Sequence, residues 1–103
     1  MQVKVTFRNT DSNDGVKDRA EEKADKIKKL MHSPIQVSFI FSKDKLNHFS
    51  ELTVTGDGVH LSSSVKSTDF FSAIDDSVDK MVSQLRKHKD KTSKKGAIKP
   101  AKL

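Results

Sequence analysis

The amino-acid sequence predicts an α+β protein, a two-layer sandwich in the order β-α-β-β-β-α with both helices on one face of a four-stranded sheet. Three observations predict it. Residues 2 to 8, QVKVTFR, alternate strictly between apolar and polar. Residues 14 to 32 and 69 to 85 repeat their apolar residues at helical spacing. Three further alternating runs, separated by short turn-forming stretches, lie between those helical segments.

In the first strand Val3, Val5 and Phe7 face the core, while Gln2, Lys4, Thr6 and Arg8 face away. NTDSNDG follows, and Ser12 or Asn13 is placed to cap the free amides of a helix. Val16, Ala20, Ala24, Ile27 and Met31 form the apolar stripe of that helix, of about five turns, with Asp18, Glu22, Asp25 and Lys29 opposite. Ser33 and Pro34 end it, because proline disfavours helical geometry at the residue before it.

IQVSFIFS turns Ile35, Val37, Phe39 and Phe41 inward and Gln36, Ser38, Ile40 and Ser42 outward. KDKLNH reverses the chain. SELTVTGDG then carries Leu52 and Val54 inward, and Gly56-Asp57-Gly58 makes a tight hairpin. In VHLSSSVK the inward residues are Val59, Leu61 and Val65, and Ser63 is a small residue at an inward site that lets a helix approach closely. Thr68 or Asp69 caps the second helix, whose stripe runs Phe71, Ile74, Val78, Met81, Val82 and Leu85. Short loops make strands two to four an antiparallel meander, and strand one, joined to strand two through a helix, can pair with it in parallel. Residues 1–91 thus form one α+β domain. Residues 92–103, TSKKGAIKPAKL, lack periodicity and read as a flexible basic tail.

A chain of 103 residues holds one core, and with 33% hydrophobic and 33% charged residues that core is small and the surface ionic. With no cysteine, disulfides, thiolate nucleophiles and Cys-based zinc sites are excluded. The first strand begins directly after Met1, without a charged and apolar leader, and no run of about 18 apolar residues occurs, so a cytoplasmic location is expected. Charge is unevenly placed. Residues 1–79 carry 11 Lys/Arg against 13 Asp/Glu, a net −2, whereas residues 80–103 carry nine Lys/Arg against Asp90 alone, a net +8. Interaction with a helix dipole accounts for two or three lysines, not nine, so the basic end points to a polyanion such as RNA.

Catalytic chemistry has little support. His32, His48, His60 and His88 show no metal-ligand spacing, no nucleotide-binding fingerprint is present, and Asp75, Asp76 and Asp79 read as carboxylates on the solvent side of a helix near its positive end. No enzyme activity, metal or cofactor is expected. Stacking of bases on the sheet is not expected either: there is no Tyr or Trp, Phe7, Phe39 and Phe41 point inward, and Phe49 and Phe70 read as layer-edge residues. The second helix offers more. Lys80, Gln84, Lys87 and Lys91 fall at i, i+4, i+7 and i+11 on the face opposite the core, and Arg86, His88 and Lys89 widen the stripe. Lysines at this density act on phosphates as point charges, which makes binding salt-sensitive and indifferent to base identity.

The stretch TDFFSAIDDSVDKMVSQLRKHKDK resembles the second helix of the ribosome hibernation promoting factor family, also known as ribosome-associated inhibitor A or YfiA-type sigma-54 modulation proteins. The family pattern is matched at Asp69, Phe71, Ala73, Ile74, Asp75, Asp79, Lys80, Met81, Gln84, Leu85, Lys87, Lys89 and Lys91. The resemblance implies binding to 16S rRNA in the decoding channel of the small ribosomal subunit, blocking mRNA and A- and P-site tRNA without any bond being broken. It implies that Lys80, Arg86, Lys87, Lys89 and Lys91 neutralise rRNA phosphates, and that Lys17, Lys23 and Lys26 of the first helix occupy positions often basic in relatives. It also implies the 70S ribosome as a partner. Stopping at Leu103, the chain resembles the short forms, which either assist a ribosome modulation factor in making ribosome dimers or hold inactive monosomes. The residues alone leave two other readings open. One is a generic double-stranded-RNA-binding module, with a similar α-β-β-β-α core, and the other is a basic adaptor for acidic protein partners.

Overall fold

The alternating runs assemble into one mixed sheet in the order β1-β2-β3-β4. The computed structural model describes residues 2–31 and 34–97, with side chains described over 2–31 and 36–88. Its elements are β1 (Gln2–Arg8), α1 (Asp14–Lys28), β2 (Pro34–Asp44), β3 (Asn47–Gly56), β4 (Val59–Ser67) and α2 (Phe70–Ala97). β1 pairs with β2 in parallel, and β2, β3 and β4 form the antiparallel meander. Asp57 (φ 50°) and Gly58 (φ 76°) form the β3–β4 turn, both in the left-handed region that suits a two-residue hairpin.

The helices share one face of this sheet, because Val16, Ala20, Ala24 and Ile27 of α1 and Ile74, Val78, Met81 and Leu85 of α2 are buried in one cluster with Val37, Phe39, Phe41, Leu52 and Val54. Their caps are side chains the sequence offers. Asn13 Oδ1 accepts the Val16 amide at 3.1 Å, and Asp69 Oδ1 accepts the Ser72 amide at 2.8 Å. Ser63 meets the expectation of close approach: its Oγ donates to the Ser77 carbonyl of α2 at 3.0 Å, while Ser50 and Ser77 hydroxyls lie 3.1 Å apart. This buried trio fixes α2 over β3 and β4.

In its elements and helix packing the structure differs from the sequence reading in five places. The first helix stops at Lys28 and not near residue 32: the amides of Leu30 and Met31 bond back to Ile27 and Lys28 as tight i−3 turns, which still leaves Met31 buried. The turn over 43–48 shrinks to Lys45 and Leu46, since Lys43 pairs with His48 and Asp44 with Asn47. In the stripe of α2, Phe71 is 44% exposed and Phe70 takes the core-side position, its ring against Phe41 and, at a 4.7 Å centroid distance, against His48. Asp75 is not simply a solvent-facing carboxylate, because Arg19 and Lys23 of α1 both reach it. Finally, the backbone of α2 stays helical to Ala97, whereas periodicity is lost after Lys91. Residues 98–103 of the expected tail, the inward placement of Ile35 and the side chain of His32 lie outside the described residues.

Candidate nucleic-acid interface

The charge asymmetry of the sequence becomes an asymmetry of place because the two helices run side by side in the same direction. A Cβ at Gly15 would lie 3.8 Å from Phe71 Cζ, Arg19 Nη2 meets Asp75 Oδ2 at 3.1 Å, and Lys26 and Leu30 share a groove with Val82 and Arg86. Residues about 56 apart are therefore neighbours along the whole pair. The C-terminal turn of α1, with Lys26 and Lys28, consequently lies beside the basic half of α2. The negative end of the α1 dipole lies there, which favours the cations of its last turn, Lys26 and Lys28.

Three surroundings divide the residues singled out from sequence. Lys26 and Arg86, joined by Lys29, line a groove of about 390 Å³ floored by Leu30 and Val82, with Asp79 as its acidic member. Lys80 and Gln84 do not stand opposite the core: Gln84 Nε2 donates to the Ser62 carbonyl at 2.9 Å and Lys80 Nζ to the Ser64 carbonyl at 3.5 Å. α2 lies over the last strands of the sheet, so a stripe to one side of its buried face reaches past β4 to that strand's outer carbonyls. Lys87 and His88 are exposed one turn further on. Lys89 and Lys91 follow on the same helix, their side chains outside the described ones.

Helix α1 contributes unequally. Lys17 is exposed in its first turns, remote from the groove, and Lys23 Nζ lies 3.7 Å from Asp75 Oδ1. Asp75 also accepts from Nε and Nη2 of Arg19, and this hydrogen bonding, followed by the carboxylate's charge, raises the Arg19 pKa above its ordinary value. Lys23 is thus partly neutralised where it stands, while Lys26 faces the groove. Lys29 belongs with them, and its i+3 spacing from Lys26 in the final turn of the helix was the available signal. Arg19 carried no such signal, since its partner is 56 residues away.

Among the described residues no three His, Asp or Glu side chains come together as a metal site, and no helix is long and apolar enough to cross a membrane. What the fold and this surface define is a small α+β binding domain with a basic helix end. The chain belongs to the family described as "Sigma 54 modulation protein / S30EA ribosomal protein", whose profile matches residues 3–93. It is 30% identical over 91 residues to the ribosome hibernation promoting factor of Escherichia coli K12, covering 88% of this chain and 96% of that protein. Its identity to the factor of the same name in Azotobacter vinelandii is 31%, over 88% of this chain and 85% of that one. The fold is similar to that of the Thermus thermophilus Protein Y N-terminal domain, with a TM-score of 0.79, 21% identity and coverage of 85% and 99% of the two chains. It is also similar to a ribosomal subunit interface protein from Coxiella burnetii, with a TM-score of 0.78, 20% identity and coverage of 87% and 99%.

Proposed function

We propose that this protein is a ribosome hibernation factor that binds 16S rRNA in the decoding channel of the small subunit and there excludes mRNA and A- and P-site tRNA. The observation that carries the reading is the meeting of the C-terminal end of α1 with the basic half of α2: Lys26 and Lys29 beside Arg86, continued along one helix by Lys87, Lys89 and Lys91. Such a surface neutralises phosphates by position and charge and needs no reacting group, so the protein acts as a plug and not as an enzyme. It works in the cytoplasm, as a monomer when off the ribosome, on the small subunit and the 70S particle, with a ribosome modulation factor as a further associate. Residues 1–91 supply the ribosome-binding unit and the basic segment after them adds attraction. Family membership, the names of the relatives and the +8 charge of residues 80–103 support this reading.

Co-sedimentation with ribosomes, isolated subunits and duplex RNA across a salt series tests it. Migration with the small subunit and loss of translation in a cell-free system are expected. Replacing Lys87, Lys89 and Lys91 together by Ala is expected to lower the slope of log affinity against log salt by about 3, at about one per phosphate contact, with unchanged melting. Equal affinity for free duplexes would point to a generic double-stranded-RNA module, and no binding to either RNA would sink both readings.

A further inference from the structure

On the outer face of the sheet, one register row differs chemically from the others. Arg8 pairs with Ser42, Ser42 with Phe49, and Phe49 with Lys66. All four lie at positions that alternate with the buried ones, so they stand on the face away from the helices. This corrects the expectation that Phe49 packs at a layer edge: it sits on an interior strand, half-buried, with its ring on the polar side. Strands spaced about 4.8 Å apart put Arg8 and Lys66 about 14 Å from each other, with the ring between. In the next row Glu51 lies between Ile40 and Ser64. Ser42, Phe49, Glu51, Ser64 and Lys66 line a shallow groove of about 380 Å³.

We propose that this row binds one unpaired nucleotide of RNA, the base stacked on Phe49 and the flanking phosphates held by Arg8 and Lys66. Phe49 is an aromatic ring on the polar face of the sheet and only half-buried, and a ring flanked by cations suits a base with its backbone. Glu51 sets a preference. Its carboxylate repels phosphate from the base position and accepts hydrogen bonds from amino groups, which cytosine, adenine and guanine offer and uracil does not. A duplex does not fit, because its bases have no free face. The site lies across the sheet from the helices, so the protein can hold two RNA segments at once. The choice of RNA rests on the ribosomal reading above; the row itself asks for a single strand.

Backbone amide shifts of the whole protein, titrated with hexacytidylate and hexauridylate, test the site. Shifts are expected at residues 8, 42, 49, 51 and 66, with hexacytidylate the tighter ligand and the preference lost in Glu51→Ala. Phe49→Leu, which keeps an apolar side chain, is expected to weaken hexacytidylate about tenfold, while Phe49→Tyr keeps the affinity and shows that the position tolerates change. Shifts confined to α2, equal binding by wild type and Phe49→Leu, or no binding would overturn the proposal. Ribosome co-sedimentation of the same wild-type sample separates the two ideas. Hexacytidylate binding through Phe49 without ribosome binding defeats the ribosomal reading alone, and ribosome binding with no Phe49 effect defeats this site alone.

Discussion

Gln84 Nε2 donates to the backbone carbonyl of Ser62 at 2.9 Å, so the helix marked by charge as the binding element also occupies part of the β4 edge of the sheet. β4 is the last strand and presents unpaired carbonyls, and unsealed edges invite pairing with other chains. The basic stripe therefore divides by task along its length: Lys80 and Gln84 reach the β4 backbone, and Arg86, Lys87 and His88 are exposed.

That division predicts opposite outcomes from substitutions one turn apart. Gln84→Ala removes an exposed side-chain hydrogen bond worth about 0.5 kcal/mol, which in a domain of this size lowers Tm by about 2–4 °C. Lys87→Ala, at an exposed position, leaves Tm unchanged and weakens ribosome binding. Thermal melting followed by circular dichroism, alongside co-sedimentation, reads both. A stable Gln84→Ala with lost binding would reverse the assignment.

The buried serines make a second case. Ser77 Oγ donates to the Ile74 carbonyl at 3.0 Å and so is left to accept from Ser50 Oγ. Ser77→Ala strands the Ser50 hydroxyl in the core, at a cost of about 1–3 kcal/mol. Removing both hydroxyls strands nothing, so Ser50→Ala with Ser77→Ala is expected to cost less than the sum of the single changes. Urea denaturation of the three variants completes the cycle, and strict additivity would show that the two hydroxyls are not coupled.

The residues legible from sequence are those whose role is decided locally. Asn13 and Asp69 cap because their side chains reach amides three residues on, and Asp57-Gly58 turns because both residues tolerate positive φ. Phe70 and Phe71 exchange roles because a cap at Asp69 puts Phe70 in the first turn, beside Phe41 and His48, a contact the 3.6-residue period does not resolve. Phe49 is lost if the third strand starts at Ser50; once Asn47 begins it, parity alone turns Phe49 outward. The Arg19–Asp75 pair depends on how far one helix slides along the other, which no local pattern encodes.

That same slide ranks the lysines of α1. Lys23 shares Asp75 with Arg19, whereas Lys26 lines the groove with Arg86. Lys26→Ala is expected to lower the salt slope of ribosome binding by about 1 and Lys23→Ala by less. Asp75→Asn releases both cations and is expected to tighten binding at low salt. Its effect on stability is expected to be small, as both side chains of the Arg19–Asp75 pair are more than one third exposed and screened by solvent. Equal losses from Lys23→Ala and Lys26→Ala would mean that Asp75 does not hold Lys23 back.

The cap of α2 ties its stability to pH. The Ser72 amide donates to the Asp69 carboxylate, and this bond, with lesser help from the Ser72 hydroxyl, lowers the Asp69 pKa below its ordinary 3.8. A carboxylate with a depressed folded pKa binds fewer protons folded than unfolded as pH falls, so its contribution is complete above the unfolded pKa and is lost as pH drops through the folded one. Between pH 7 and 5 the contribution is constant; below about pH 4 it fades. Asp69→Asn retains a capping oxygen without the charge, so its Tm difference from wild type is expected to be constant near neutrality and to move in favour of the variant below about pH 4. Melting curves of both proteins from pH 7 to pH 3 measure that difference. A gap independent of pH throughout would show that the ionised carboxylate is not what holds the start of α2.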